Sequence, residues 1–256
     1  MMKFYVLTLL FAFMLNINPL WAGDDNFFKP EWWESATIDD VAMELKKGGN
    51  INAKNEKQHT PLIIASAKTN KLEVILYLLQ NGADVKYATP NGMTALMYAS
   101  AKNTNPKIIS ALVKYGANVN RTNILGQTAL SVAALENTNH KIIKTLLKHK
   151  AKIHHRDNKL MTPLMLACSK NTSTDVIITL LKNGALINDK DKFGQTPLHQ
   201  ACLSNKNKEI VKILLERGAS PFKEDNIGKM AYDYAKDNKD LFETDVYYML
   251  ENKIFD

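Results

Sequence analysis

Hydrophobic positions along this chain fall in short bursts separated by polar stretches. Residues Leu72 to Gln80 (LEVILYLLQ) set their apolar side chains along one helical face, and Leu62 to Ala67 form a shorter burst before them. A loop at Thr69-Asn70 divides the two. Beyond them, Asp84 to Met93 is polar and holds Pro90-Asn91-Gly92, a turn signal. The predicted unit is helix, loop, helix, extended turn. One such unit cannot bury its own apolar face, whereas a stack of them can.

The unit recurs. Thr60-Pro61-Leu62, Thr94-Ala95-Leu96, Thr128-Ala129-Leu130, Thr162-Pro163-Leu164 and Thr196-Pro197-Leu198 stand 34 residues apart, with a decayed copy at Met230-Ala231-Tyr232. In phase with them run Gly82-Ala83, Gly116-Ala117, Lys150-Ala151, Gly184-Ala185 and Gly218-Ala219, and the turn glycines Gly92, Gly126, Gly194 and Gly228. Thr before Pro or Ala supplies an N-cap hydroxyl and a first helical residue that needs no partner for its own N–H. Gly after the second helix suits a left-handed stop.

These motifs resemble the ankyrin repeat family, most directly in Gly194-Gln195-Thr196-Pro197-Leu198-His199, Ala201-Cys202, Glu209-Ile210-Val211, Leu214-Leu215 and Gly218-Ala219. The resemblance covers roughly residues 27 to 256 and implies an all-α ankyrin repeat solenoid of about seven helix-turn-helix units, with β-turn or hairpin-like loops between repeats. The expected organisation is a cap over 23–57, full repeats at 58–91, 92–125, 126–159, 160–193 and 194–227, and a closing cap over 228–256. The family's usual period is about 33 residues. The extra residue here falls between the two helices, in Asn- and Thr-rich sequence such as Asn103 to Pro106 and Asn137 to His140. Asn tolerates a left-handed backbone and bonds locally, so it is expected to stand in for Gly in that loop. Terminal repeats must shield an apolar face, and Trp32-Trp33 reads as a lid on the first interface.

The N-terminus is different in kind. Lys3, the apolar run Phe4 to Leu15 and the more polar stretch Asn16 to Ala22 describe a signal peptide, 1–22, cleaved after Ala22. The alternative is an uncleaved anchor, though the run is short for a bilayer. Composition, 45% hydrophobic and 23% charged, is that of a folded protein. The formal charge of +7 comes mostly from Lys, read here as scattered through the repeats and solvated. The partner expected is therefore another protein, with no nucleic acid, no membrane span after signal removal, and a monomeric chain.

Phosphate-loop, dinucleotide, zinc-protease and serine-hydrolase motifs are absent from the sequence, so an enzyme is not expected, nor a cofactor. Cys168 and Cys202 are one repeat apart, which sets equivalent helices about 10 Å from each other. A bridge needs Cα atoms within about 7 Å, so two buried thiols are expected. His154-His155, with His149 and His140 nearby, lack a third and fourth ligand at metal spacing and read as surface residues.

By resemblance, ankyrin stacks bind through turn tips and the exposed side of the first helices, which form a concave groove. Positions whose residue type changes from repeat to repeat are the candidates. They are Tyr87, Arg121, His155, Asp189 and Lys223 at the turn tips; His59, Met93, Gln127, Met161, Gln195 and Lys229 before each Thr position; and Lys68, Lys102, Glu136, Lys170 and Ser204 at the far end of the first helices. Leu125, Phe193 and Ile227, each before a turn glycine, are expected to brace neighbouring turns. The function expected is an exported protein-binding module. A secreted effector acting on a host-cell protein is the alternative, and a metal-binding or enzymatic protein using the His154-His155 region stands behind both.

Overall fold

Each Thr of the 34-residue series does the work its chemistry suggests. In the computed structural model, which describes residues 26–255, the hydroxyls of Thr60, Thr94, Thr128, Thr162 and Thr196 accept from the backbone N–H groups of Ile63, Met97, Ser131, Met165 and His199. These caps start five first helices: α3 (Pro61–Lys68), α5 (Ala95–Lys102), α7 (Ala129–Glu136), α9 (Pro163–Lys170) and α11 (Pro197–Ser204). The second helices are α4 (Leu72–Gln80), α6 (Pro106–Lys114), α8 (His140–Lys148), α10 (Thr174–Lys182) and α12 (Lys208–Glu216). Short pairs close the ends, α1 (Trp32–Ser35) with α2 (Ile38–Lys46), and α13 (Ala231–Ala235) with α14 (Asp245–Phe255). The expected signal peptide, 1–22, lies outside the described residues.

First helices pack on first helices and second on second, giving two parallel rows. Ala65, Ala99, Ala133, Ala167 and Ala201 recur at one position in the first row, all fully buried, and their small size lets the backbones approach. In the second row Leu78, Leu112, Leu146, Leu180 and Leu214 form a fully buried column. The main apolar core therefore runs from Phe27 to Leu250. Trp33 closes its N-terminal end: it is completely buried, stacks on Phe27 at 5.7 Å and donates its indole N–H to the Phe27 carbonyl at 2.9 Å. Trp32 stays half-buried beside it.

The loop asparagines depart from expectation. Asn103, Asn137, Asn171 and Asn205 are extended, with φ of −81°, −99°, −71° and −79°, and none adopts the left-handed conformation of Gly. Their buried side chains reach backwards instead. The Asn137 amide donates to the carbonyls of Ser100 at 3.0 Å and Asn103 at 2.8 Å in the preceding repeat. The Asn171 amide in turn donates to the carbonyls of Ala134 and Asn137, both at 2.9 Å. Asn103, Asn205 and Asn238 do the same. Each Oδ1 also accepts a backbone N–H two residues on. The lengthened loop thus carries a continuous asparagine seam between repeats.

A second seam joins the turn tips. Backbone N–H groups of Ile124, Asn158, Lys192 and Asn226 donate to the carbonyls of Asn91, Leu125, Lys159 and Phe193, at 2.9 to 3.1 Å. At Gly126, where φ is +75°, a Cβ would lie 2.4 Å from Oδ1 of Asn158, so backbone conformation and close approach both select glycine. Lys150 and Leu160 occupy positions where other repeats place glycine, and both keep positive φ, 65° and 60°.

Candidate functional site

Turns and first helices share one face of the stack. At its N-terminal end they enclose a hollow of about 490 Å³, lined by Phe28 and Pro30, by Asn55, Lys57 and His59 of the first turn, by Ile63, Ile64 and Lys68 of α3, and by Tyr98 of α5. Two candidates, His59 and Lys68, meet here. The Tyr98 hydroxyl lies 2.9 Å from Nε2 of His59, with the two rings edge to face. Burial, helped by Lys57, lowers the His59 pKa, and burial raises that of Tyr98. The lining is mostly apolar but includes three charged residues, Glu56, Lys57 and Lys68, the last paired to Glu34 at 3.4 Å.

A smaller hollow of about 230 Å³ lies at the far ends of the first helices and brings together Lys102, Glu136 and Lys170. Lys102 and Glu136 form an ion pair at 2.6 Å, and Lys170 is exposed beside them. Ser204, one repeat on, donates to the Ser169 carbonyl at 2.9 Å.

The C-terminal end of the same face is polar. Gln195 donates to the Tyr234 hydroxyl, which donates to Asp225, while Gln200 donates to Asp191 and to Gln195. Burial works against the Asp225 carboxylate. Hydrogen bonds from Tyr234, the Lys229 and Ile227 amides and Gln195 outweigh it and hold the pKa low. His199 lies within 2.9 Å of the Thr196 hydroxyl and 3.1 Å of the Lys229 carbonyl, so its ring joins its own cap to the next turn. Burial lowers its pKa, against the Lys229 carbonyl and Asp225, which raise it. Lys229 itself is exposed, with its ammonium 5.3 Å from the Tyr234 ring centre.

Most turn-tip candidates have structural contacts. Tyr87 donates to the Gln58 carbonyl at 3.0 Å under the Lys54 ammonium, and Arg121 donates to the Lys86 carbonyl at 2.7 Å. His155 sits 2.7 Å from the Gly126 carbonyl, and Asp189 accepts from Arg156 at 3.0 Å. Lys223 is half-buried. Met93 and Gln127 are half-buried around Asn123, whose amide reaches both. Met161 is a correction: it is buried, packed with Met165, Leu166 and Leu135, because the first helices close over it.

Leu125, Phe193 and Ile227 reverse their expectation. Their exposures are 56%, 53% and 74%, since the backbone of the tips does the bracing and leaves the side chains free. Ile124 and Leu160, next in sequence to such positions, are exposed as well, while the position equivalent to Leu125 in the following repeat is the exposed Lys159. An apolar residue directly before the turn glycine in three of the repeats is the signal that the sequence carries for this exposure. The histidines diverge: His140 faces Asp175, His149 faces Ser110 and His155 faces a backbone carbonyl. Among the described residues no group of three or more His, Cys, Asp or Glu could hold a metal ion. Cys168 and Cys202 are buried free thiols whose ionisation burial opposes.

The charge is not evenly scattered through the repeats. Residues 85–174 carry thirteen Lys and Arg against two acidic residues, Glu136 and Asp157, a net of +11 in a chain whose total is +7. Both flanking parts are net acidic.

A family model described as ankyrin repeats (3 copies) matches residues 35–123, 87–157 and 130–225. No curated protein matches the chain significantly. Among solved structures, the human ASB11 ankyrin repeat domain is similar, with 24% identity and a TM-score of 0.74 over 88% of this chain and 96% of that one. That likeness is one of fold.

Proposed function

Because the chain belongs to the ankyrin repeat family, whose repeats are generally protein–protein interaction modules, we propose that it is an exported binding protein. Its groove and turn tips receive a partner protein in the periplasm or outside the cell. The fold is a known non-enzymatic interaction scaffold, and among the described residues no helix is long and apolar enough to cross a membrane. The observation that carries the reading is the exposure of Leu125, Phe193 and Ile227 at one register position of three repeats, with Lys159 at that position in the repeat between the first two. Large apolar side chains that recur exposed at one register position, among polar groups, suit an interaction surface. Stitched turns supply a largely preformed surface.

The test uses the chain from Gly23 as bait against envelope extract and host-cell extract, beside a Leu125→Asp/Phe193→Asp/Ile227→Asp variant. A protein enriched by the parent and lost with the variant is the expected result. Its source separates a periplasmic client from a host-cell one. If neither extract yields a protein that depends on these three side chains, the reading fails. N-terminal sequencing of the exported product tests the leader separately, with Gly23 expected as the first residue.

A further inference from the structure

The excess positive charge has a definite place. Among the described second helices, α2, α4, α10, α12 and α14 each carry at least one acidic residue, whereas α6 (PKIISALVK) and α8 (HKIIKTLLK) carry none. These two are neighbours in the second row. Lys141, Lys144 and Lys148 recur at i, i+3 and i+7, which puts them on one stripe of α8. Lys107 and Lys114 stand at the matching positions of α6, one repeat earlier. All five are exposed, and none has an ion-pair partner among the described residues. Each helix is about 13 Å long and neighbours lie about 10 Å apart, so the five ammonium groups fill one compact patch. Lys150 and Lys152, both exposed, continue it into the following loop.

The composition of the patch selects the partner. Protein interfaces deplete Lys at their centres and enrich aromatic and apolar anchors. Here the large apolar side chains of α6 and α8 (Ile108, Ile109 and Leu112; Ile142, Ile143 and Leu146) are buried in the core, leaving lysines outside. Lys is a mobile point charge with no fixed acceptor geometry, and the two arginines of this region are already engaged, Arg121 on a backbone carbonyl and Arg156 on Asp189. A diffuse anionic surface suits such a group better than a partner read by directional hydrogen bonds. Tyr115, exposed at the end of α6, is a side chain that seats at headgroup level. We infer that the second-helix face of α6 and α8 docks the stack onto a membrane surface bearing anionic phosphate headgroups, leaving groove and turn tips free for a partner.

Vesicle flotation tests this with the chain from Gly23, which keeps the whole described core and lacks the apolar leader. Phosphatidylcholine vesicles are compared with phosphatidylcholine–phosphatidylglycerol vesicles at low salt, and circular dichroism confirms folding of each variant. The parent is expected to float with the anionic vesicles alone and to be released by salt. A Lys107→Gln/Lys141→Gln/Lys144→Gln/Lys148→Gln variant is expected to lose roughly a hundredfold or more in vesicle affinity. Lys46→Gln/Lys192→Gln/Lys206→Gln/Lys239→Gln, which removes equal charge elsewhere, is expected to keep binding. Equal loss in both variants would show general charge attraction and overturn the assignment. So would no binding to anionic vesicles, or binding through the same lysines to single-stranded DNA or an acidic protein instead.

Discussion

Asn137 shows how much of the assembly rests on single side chains. Its amide fills two buried carbonyls of the preceding repeat, and its Oδ1 receives an N–H of its own loop. Asn137→Ala leaves both acceptors short of a donor, so a loss of about 1–3 kcal/mol is expected in urea unfolding. The opposite sign is expected at Ser100, whose buried hydroxyl, like that of Ser66, finds no partner among the described residues. Other repeats place Ala134, Cys168 and Cys202 at this position. Ser100→Ala is therefore expected to be neutral or to stabilise by up to about 1 kcal/mol, and a clear destabilisation would mean that the hydroxyl is bonded. None of these roles could be read from a local window. The partner of Asn137 lies 34 to 37 residues away, a contact that exists only once two repeats have stacked.

Helices were more legible than their contacts because their signals are local. The cap and the N–H that donates to it are three residues apart at Thr128 and Ser131, so the Thr series marks the first helices directly. Thr128→Ala is expected to cost about 1 kcal/mol in the same unfolding assay, by leaving a helix N–H unpaired. Helix termination is equally local, yet Lys150 takes a left-handed φ of 65° where other repeats have Gly. Lys150→Gly is accordingly expected to raise the unfolding midpoint, since glycine enters that region without the Cβ penalty. The candidate surface was less legible. Varying residue type at a repeat position does not mean freedom from packing: Tyr87, Arg121 and His155 vary while each holds the preceding turn. Apolar type at Leu125, Phe193 and Ile227 suggests bracing between turns, but those side chains are exposed. Hydropathy ranks a residue's preference, and the backbone bonds of the tips decided the matter instead.

For the whole molecule, acid is the informative stress. His59 and His199 both have pKa values lowered by burial in the fold, while in the unfolded chain each returns to about 6.5. The unfolded state then binds more protons than the folded one below that value. Stability is therefore full above about pH 6.5 and declines as pH falls towards the lowered folded values. Urea midpoints measured across that window should fall, and His199→Gln should flatten the slope. A parent midpoint that does not move would show that neither imidazole is kept from its proton.

The two seams also have a mechanical meaning. A stack held only by its apolar core resembles a deck of cards, in which small slips between neighbours change the overall bend at little cost. This stack is sewn along both edges, by asparagine amides on one and by turn-tip backbone bonds on the other. Bending it further requires stretching one row of hydrogen bonds or crowding the other. The curvature of its inner surface is thereby set like a template of fixed radius, and a visitor must arrive with that shape or adopt it at its own expense.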